Sequence, residues 1–129
     1  MSAAQGPTKI LVVDDDPAVR DVVTSMLETA GYEVTKAGNG REALRVLGAA
    51  PIDLVITDLV MPEQESIETI KLIRRDYPKA KVIAMSGAFG GDYLRIAGYL
   101  GAHGTLAKPL QLTTVLKVVA AAIAAPEHE

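Results

Sequence analysis

Three consecutive aspartates, Asp14-Asp15-Asp16, stand directly behind the apolar run ILVV and directly before Pro17. At about 5 Å and an effective dielectric of about 20, each close pair of carboxylates costs on the order of 3 kcal/mol before solvent and salt relieve it. Such a cluster suits a hard divalent cation. Mg2+ takes oxygen ligands, keeps several waters, and is often held by one or two carboxylates together with phosphate oxygens. The same ion draws in a phosphate that bare carboxylates would repel. Three further polar residues end apolar runs in the same way: Asp58 in DLVITD, Ser86 in KAKVIAMSG and Lys108 in GTLAKP. A carboxylate attacking phosphorus forms an acyl phosphate, so Asp58 qualifies as a nucleophile. Lys108 can neutralise phosphoryl oxygens and Ser86 can donate a hydrogen bond to one. Phosphoryl transfer mostly needs positioning and charge neutralisation, and this set supplies both.

The elements that must carry these residues alternate along the chain. Short β-branched-rich runs predict strands over 9–13, 32–37, 53–58, 79–87 and 104–109. Between them, helices are predicted from Pro17 to about Ala30, over 41–49, over 67–77, from Asp92 to about 102, and over 112–125. Asp16 before Pro17 is an N-cap with a first-turn proline. Asn39 and Ser66 are predicted caps of the second and third helices, with LVMPEQES read as a loop. Val19, Val22, Val23, Met26 and Leu27 form the apolar stripe of the first helix. This is (βα)5 with short connections, a parallel sheet covered on both faces. Ligands of such sheets bind beyond the carboxyl ends of the strands. Asp14–Asp16, Asp58, Ser86 and Lys108 all stand there, which suggests one site.

Composition narrows the function classes. The chain has 129 residues, enough for one domain, and a formal net charge of −3 with no basic block. That disfavours direct nucleic-acid binding, which needs a Lys/Arg surface. With no cysteine, disulfides and thiolate chemistry are excluded. No signal peptide or apolar run of membrane-spanning length is present, so a cytoplasmic location is expected. His103 and His128 lack ligand spacing and read as surface residues. The domain is expected over 9–125, with residues 1–8 and 126–129 as flexible tails.

ILVVDDDP, DLVITDLVMP, AMSG and GTLAKPL, in this order and spacing across residues 9–125, closely resemble the response-regulator receiver domain of two-component signalling. The resemblance implies a flavodoxin-like, doubly wound fold with strand order 2-1-3-4-5. It implies Asp58 as the phosphoacceptor, taking its phosphoryl group from a phosphohistidine on a histidine kinase or phosphotransferase. It implies Mg2+ held by Asp15, Asp58 and the backbone carbonyl of Val60, with Asp14 acting through water. Ser86 takes the switch position, Lys108 the lysine position, and the Lys108-Pro109 bond is often cis in such domains. This sequence departs from the family at Ser66, usually glycine, and at Thr105, usually an aromatic residue that rotates on activation. Thr105 has no ring to rotate. Activation is then expected as a shift of residues 87–95, where glycines make the chain compliant.

The chain is expected to be a stand-alone signalling module, a monomer or weak dimer. It would be no enzyme beyond its own phosphorylation and dephosphorylation at Asp58. It would act through a downstream protein target, read by the face of the fourth helix, fifth strand and fifth helix with Tyr93 and Tyr99. A Mg2+-dependent aspartyl phosphatase of the haloacid-dehalogenase type is one alternative, but DDDPA lacks its Asp-x-Asp-x-Thr/Val pattern. A flavodoxin would need a hydroxyl- and Gly-rich loop after the first strand. A degenerate receiver scaffold would have lost a site residue, and none is lost.

Overall fold

A computed structural model of the chain describes residues 7–59, 63–87, 98 and 101–125, with side chains from residue 67 onward in the helix that opens at Glu63. Five strands form one parallel sheet in the order β2-β1-β3-β4-β5. They are β1 Lys9–Val13, β2 Glu33–Ala37, β3 Leu54–Asp58, β4 Lys81–Ser86 and β5 Gly104–Ala107. The described helices are α1 Pro17–Thr29, α2 Gly40–Ala49, α3 Glu63–Asp76 and α4 Leu112–Ala124. The strand order agrees with the one implied by the resemblance. Most of the helix predicted from Asp92, including Tyr93 and Tyr99, lies outside the described residues, as do 88–91 of the 87–95 segment, 1–6 and 126–129.

The continuous apolar runs follow from two-sided burial. Successive side chains of a strand point to opposite faces, and here both faces are covered. Leu11, Val13, Val55, Val82 and Ala84 meet Ala43 and Leu47 of α2 and Ile70 and Ile73 of α3. Ile10, Val12, Leu54, Ile56, Ile83 and Met85 meet Val23 and Leu27 of α1 and Val115 and Val119 of α4. Adjacent strands are in matched register, Val13 beside Thr57 and Asp58 beside Met85. The polar residues that follow each strand therefore arrive along one edge.

Local chemistry sets the helix starts. Asp16 accepts a hydrogen bond from Ala18 N–H, and Asn39 accepts one from Glu42 N–H, as the sequence predicts. Two expectations are corrected. The third helix opens at Glu63, so Ser66 lies inside it rather than capping it. Pro62 immediately precedes Glu-Gln-Glu in the sequence, residues that favour helix and, for the two acids, suit the positive end of its dipole. Val22 is half-exposed, because it lies at the border of the α1 stripe, beside Pro109 and Leu110.

Two side chains act as backbone partners. Lys81 is buried at the start of β4, and its ammonium donates to the carbonyls of Ala122, Ile123 and Ala125. It thereby caps the carbonyl end of α4, where a cation also complements the helix dipole. His103 corrects the surface reading: its N–H donates to Val82 O at 2.6 Å, and its Nδ1 accepts Val82 N–H at 3.1 Å. The imidazole extends the β4–β5 ladder by one pair.

Helices α2 and α3 approach closely at Gly40, where a Cβ would overlap Thr69 Oγ1. Gly40→Ala is expected to lower unfolding free energy by about 1–3 kcal/mol, the usual cost of overpacking. Adding Thr69→Ala should return part of the loss, a coupling that urea denaturation of the four variants measures.

Candidate functional site

The site is assembled at the carboxyl edge of the sheet by neighbouring strands. Asp14 and Asp15 follow β1, Asp58 ends β3, Ser86 ends β4 and Lys108 follows β5. One ligand oxygen from each of Asp14, Asp15 and Asp58 lies within 4.8 Å of the others. Asp14 and Asp58 are buried while Asp15 is exposed. Lys108 Nζ reaches Asp58 Oδ2 at 3.1 Å and Asp14 Oδ2 at 3.5 Å. Asp16 stays out of the cluster, with its carboxylate engaged at the start of α1. The fit to a divalent cation rests on this donor set. Three carboxylates and one ammonium leave a formal charge of −2, held by oxygen atoms close enough to share one ion. Val60, whose carbonyl was expected as a ligand, lies outside the described residues.

Electrostatics reflect the crowding. Burial pushes the Asp14 carboxyl up from 3.8 to about 6. The Asp16 N–H bonded to it works in the opposite direction, Asp58 adds to the rise, and Lys108 opposes it. For Lys108, burial disfavours the ammonium, but the hydrogen bond and charge of Asp58, then the charge of Asp14, outweigh it and hold the pKa above the ordinary value. Ser86 Oγ is fully buried and has no hydrogen-bond partner among the described residues. An unpaired buried hydroxyl is costly, and this one stands at the same sheet edge as Asp58. Thr105 is exposed on β5, an edge strand. The Lys108-Pro109 bond is cis.

The loop bearing the acids is tied down by contacts that the sequence did not reveal. Asp14 N–H donates to Ala37 O at 3.1 Å, fixing the loop to the end of β2. Asp14 Oδ1 accepts Asp16 N–H at 2.9 Å. Arg20, one turn into α1, donates from Nη1 to the backbone carbonyl of Asp14 at 2.9 Å. Nothing but the i, i+4 placement of Arg20 behind the Asp16 cap hinted at this contact. A shallow apolar groove lined by Ala18, Val19, Val22, Pro109 and Leu110 adjoins Lys108.

The raised pKa of Asp14 sets a pH dependence of the metal-free protein. Below 3.8 the carboxyl is protonated in both folded and unfolded chains. As pH rises through about 6, the folded chain must ionise a buried group that the unfolded chain ionises freely. This contribution to stability is thus full below pH 3.8 and is lost as pH rises through about 6, by on the order of 3 kcal/mol. Urea denaturation in EDTA over this range should show the fall for the wild type relative to Asp14→Asn. Equal pH dependence in the two proteins would contradict it.

Comparison with known proteins gives a consistent picture. A family model described as the response regulator receiver domain matches residues 10–120. The chain is 35% identical over 113 residues to the chemotaxis protein CheY of Thermotoga maritima, covering 86% of this chain and 93% of that protein. It is 35% identical over 119 residues to the DNA-binding transcriptional regulator NtrC of Rhizobium meliloti, covering 92% of this chain but 25% of the relative. The chain thus spans a quarter of the length of the NtrC relatives it matches. Among solved structures, the chemotaxis response regulator CheY4 of Vibrio cholerae superposes with a TM-score of 0.80 at 33% identity, covering 88% of this chain and 97% of that one.

Proposed function

This chain belongs to the response regulator receiver domain family, and on that footing we propose that Asp58 is its phosphoacceptor and that Asp14, Asp15 and Asp58 hold Mg2+. The observation that carries the reading is the joint contact of one lysine with the Asp58 and Asp14 carboxylates at the edge of the sheet. The donor is a phosphohistidine on a histidine kinase or phosphotransferase. One carboxylate oxygen of Asp58 bonds to phosphorus while the phosphorus–nitrogen bond to the imidazole breaks. The departing nitrogen keeps the electron pair, and the product is an acyl phosphate. Mg2+, when bound, supplies positive charge against the phosphoryl oxygens and the carboxylates. Lys108 follows the transferred charge, from a carboxylate to a phosphoryl oxygen. Ser86, whose buried hydroxyl has no partner among the described residues, gains one in a phosphoryl oxygen through a charge-assisted hydrogen bond.

The apolar groove beside Lys108, with half-exposed Val22 at its side, is the ground a protein donor must cover to bring its imidazole to Asp58. The modified state is read by a downstream protein on the face formed by β5 and α4 and the segment before β5. Thr105 presents no ring there, so its side chain changes little and the signal lies in the segment after Ser86. A haloacid-dehalogenase-type phosphatase is not favoured by the family match.

Asp58→Asn should abolish acid-labile labelling by a phosphodonor such as acetyl phosphate; full labelling of this variant would place the phosphoryl group elsewhere. Asp15→Ala should weaken Mg2+ binding by at least about tenfold, and Asp16→Ala hardly at all, since the Asp16 carboxylate is engaged at the start of α1. Calorimetric titration with MgCl2 separates the two variants.

A further inference from the structure

We infer that Arg20 is a positioning residue for the metal site, acting through the peptide plane between Asp14 and Asp15. This rests on the reading of those two aspartates as metal ligands. A peptide unit is rigid, so the orientation of two neighbouring side chains depends on the soft dihedrals on either side of the plane that joins them. The carbonyl of that plane, Asp14 O, accepts Arg20 Nη1 at 2.9 Å. The plane before it is held by Asp14 N–H on Ala37 O. The backbone of Arg20 is itself fixed to the same loop, its N–H donating to Asp16 O at 3.0 Å. The guanidinium therefore closes a short ring from α1 back to the loop, and the ring runs through the backbone of Asp15.

The turn after β2 makes room for this arm. A Cβ at Gly38 would stand 3.3 Å from Arg20 Nη1, tighter than ordinary contact. Gly38 N–H donates to Glu42 Oε1 at 2.7 Å, which holds the turn in place. Gly38 thus acts on the metal site at one remove, by leaving Arg20 its path to Asp14.

Charge and positioning make opposite predictions for this residue. Arg20 is a cation beside a cation site. If its charge were what mattered, removing it would tighten Mg2+ binding, because like charges repel. If it positions the ligands, removing it weakens binding, as losing a partner that orients a metal ligand does by about tenfold or more. Calorimetric titration with MgCl2 of wild type, Arg20→Met, Arg20→Lys and Gly38→Ala reads the sign directly. The expected result is weaker binding by about tenfold for Arg20→Met and a smaller loss for Gly38→Ala, which keeps every charge. Arg20→Lys, which can still donate to the carbonyl, should lie close to wild type. Amide hydrogen exchange at Asp15 and Asp16 should quicken in Arg20→Met without metal. Binding by Arg20→Met as tight as wild type, or tighter, overturns the inference. Should Arg20→Met fail to fold, unchanged affinity in Gly38→Ala overturns it instead. A wild type that gives no binding heat and no Mg2+-induced amide shifts would overturn the metal reading itself, and this inference with it.

Discussion

Lys108 holds two buried carboxylates with one ammonium, and the molecule is arranged so that it can. The strand order places β4 between β3, which carries Asp58, and β5, which precedes Lys108. Parallel neighbours lie about 4.8 Å apart, so roughly 10 Å separates the backbones of β3 and β5 across β4. The lysine stem, its 3.1 Å contact with Oδ2 and the Asp58 side chain close that gap together, and the intervening strand ends in a small residue, Ser86. Without that ammonium, Asp14 and Asp58 would face each other, buried, with no opposing charge from it. Breaking a buried pair by removing one partner typically costs several kcal/mol. The sheet edge, the lysine and the carboxylates are thus one electrostatic unit.

That unit is not built for stability. Burial lifts Asp14 to about 6, and Ser86 Oγ lies buried without a partner among the described residues. Both are destabilising features by ordinary measures. Both acquire a purpose if charge and oxygen acceptors arrive from outside, as a cation and a phosphoryl group. Natural proteins commonly concentrate such stability losses at functional sites. The surrounding sheet is correspondingly conservative, with apolar residues on both faces of the central strands.

The parts legible in the sequence were those fixed locally or by period. The runs ILVV and LVIT announce strands buried on both sides, and Asp16-Pro17 and Asn39 announce helix starts, because each signal is complete within a few residues. The edge position of Asp58 and Lys108 followed from the alternation of strands and helices. What stayed hidden depends on partners distant in sequence. Lys81 looks like a surface residue in KAKVIAMSG, but its role requires the end of α4, some forty residues on. His103 has no motif, and its use as a backbone acceptor is visible only beside Val82. Val22 satisfies the helical period and yet is half-exposed, because the period gives a direction and not what covers it. The start of α3 was missed because Pro62 and the three residues after it were read as loop, whereas proline ahead of good helix formers is also how a helix opens.

The Lys81 cap has a consequence for how β4 can move. The strand is moored at both ends: its first residue grips the terminal carbonyls of α4, and at its last residue Ser86 O accepts Lys108 N–H at 2.8 Å. Sliding the strand along its axis would tear the first mooring and shear its ladders with β3 and β5. β4 therefore behaves as a fixed rail. A response beginning at Ser86 has to be spent in side-chain rotation and in the chain that follows, because translation of the strand is closed to it.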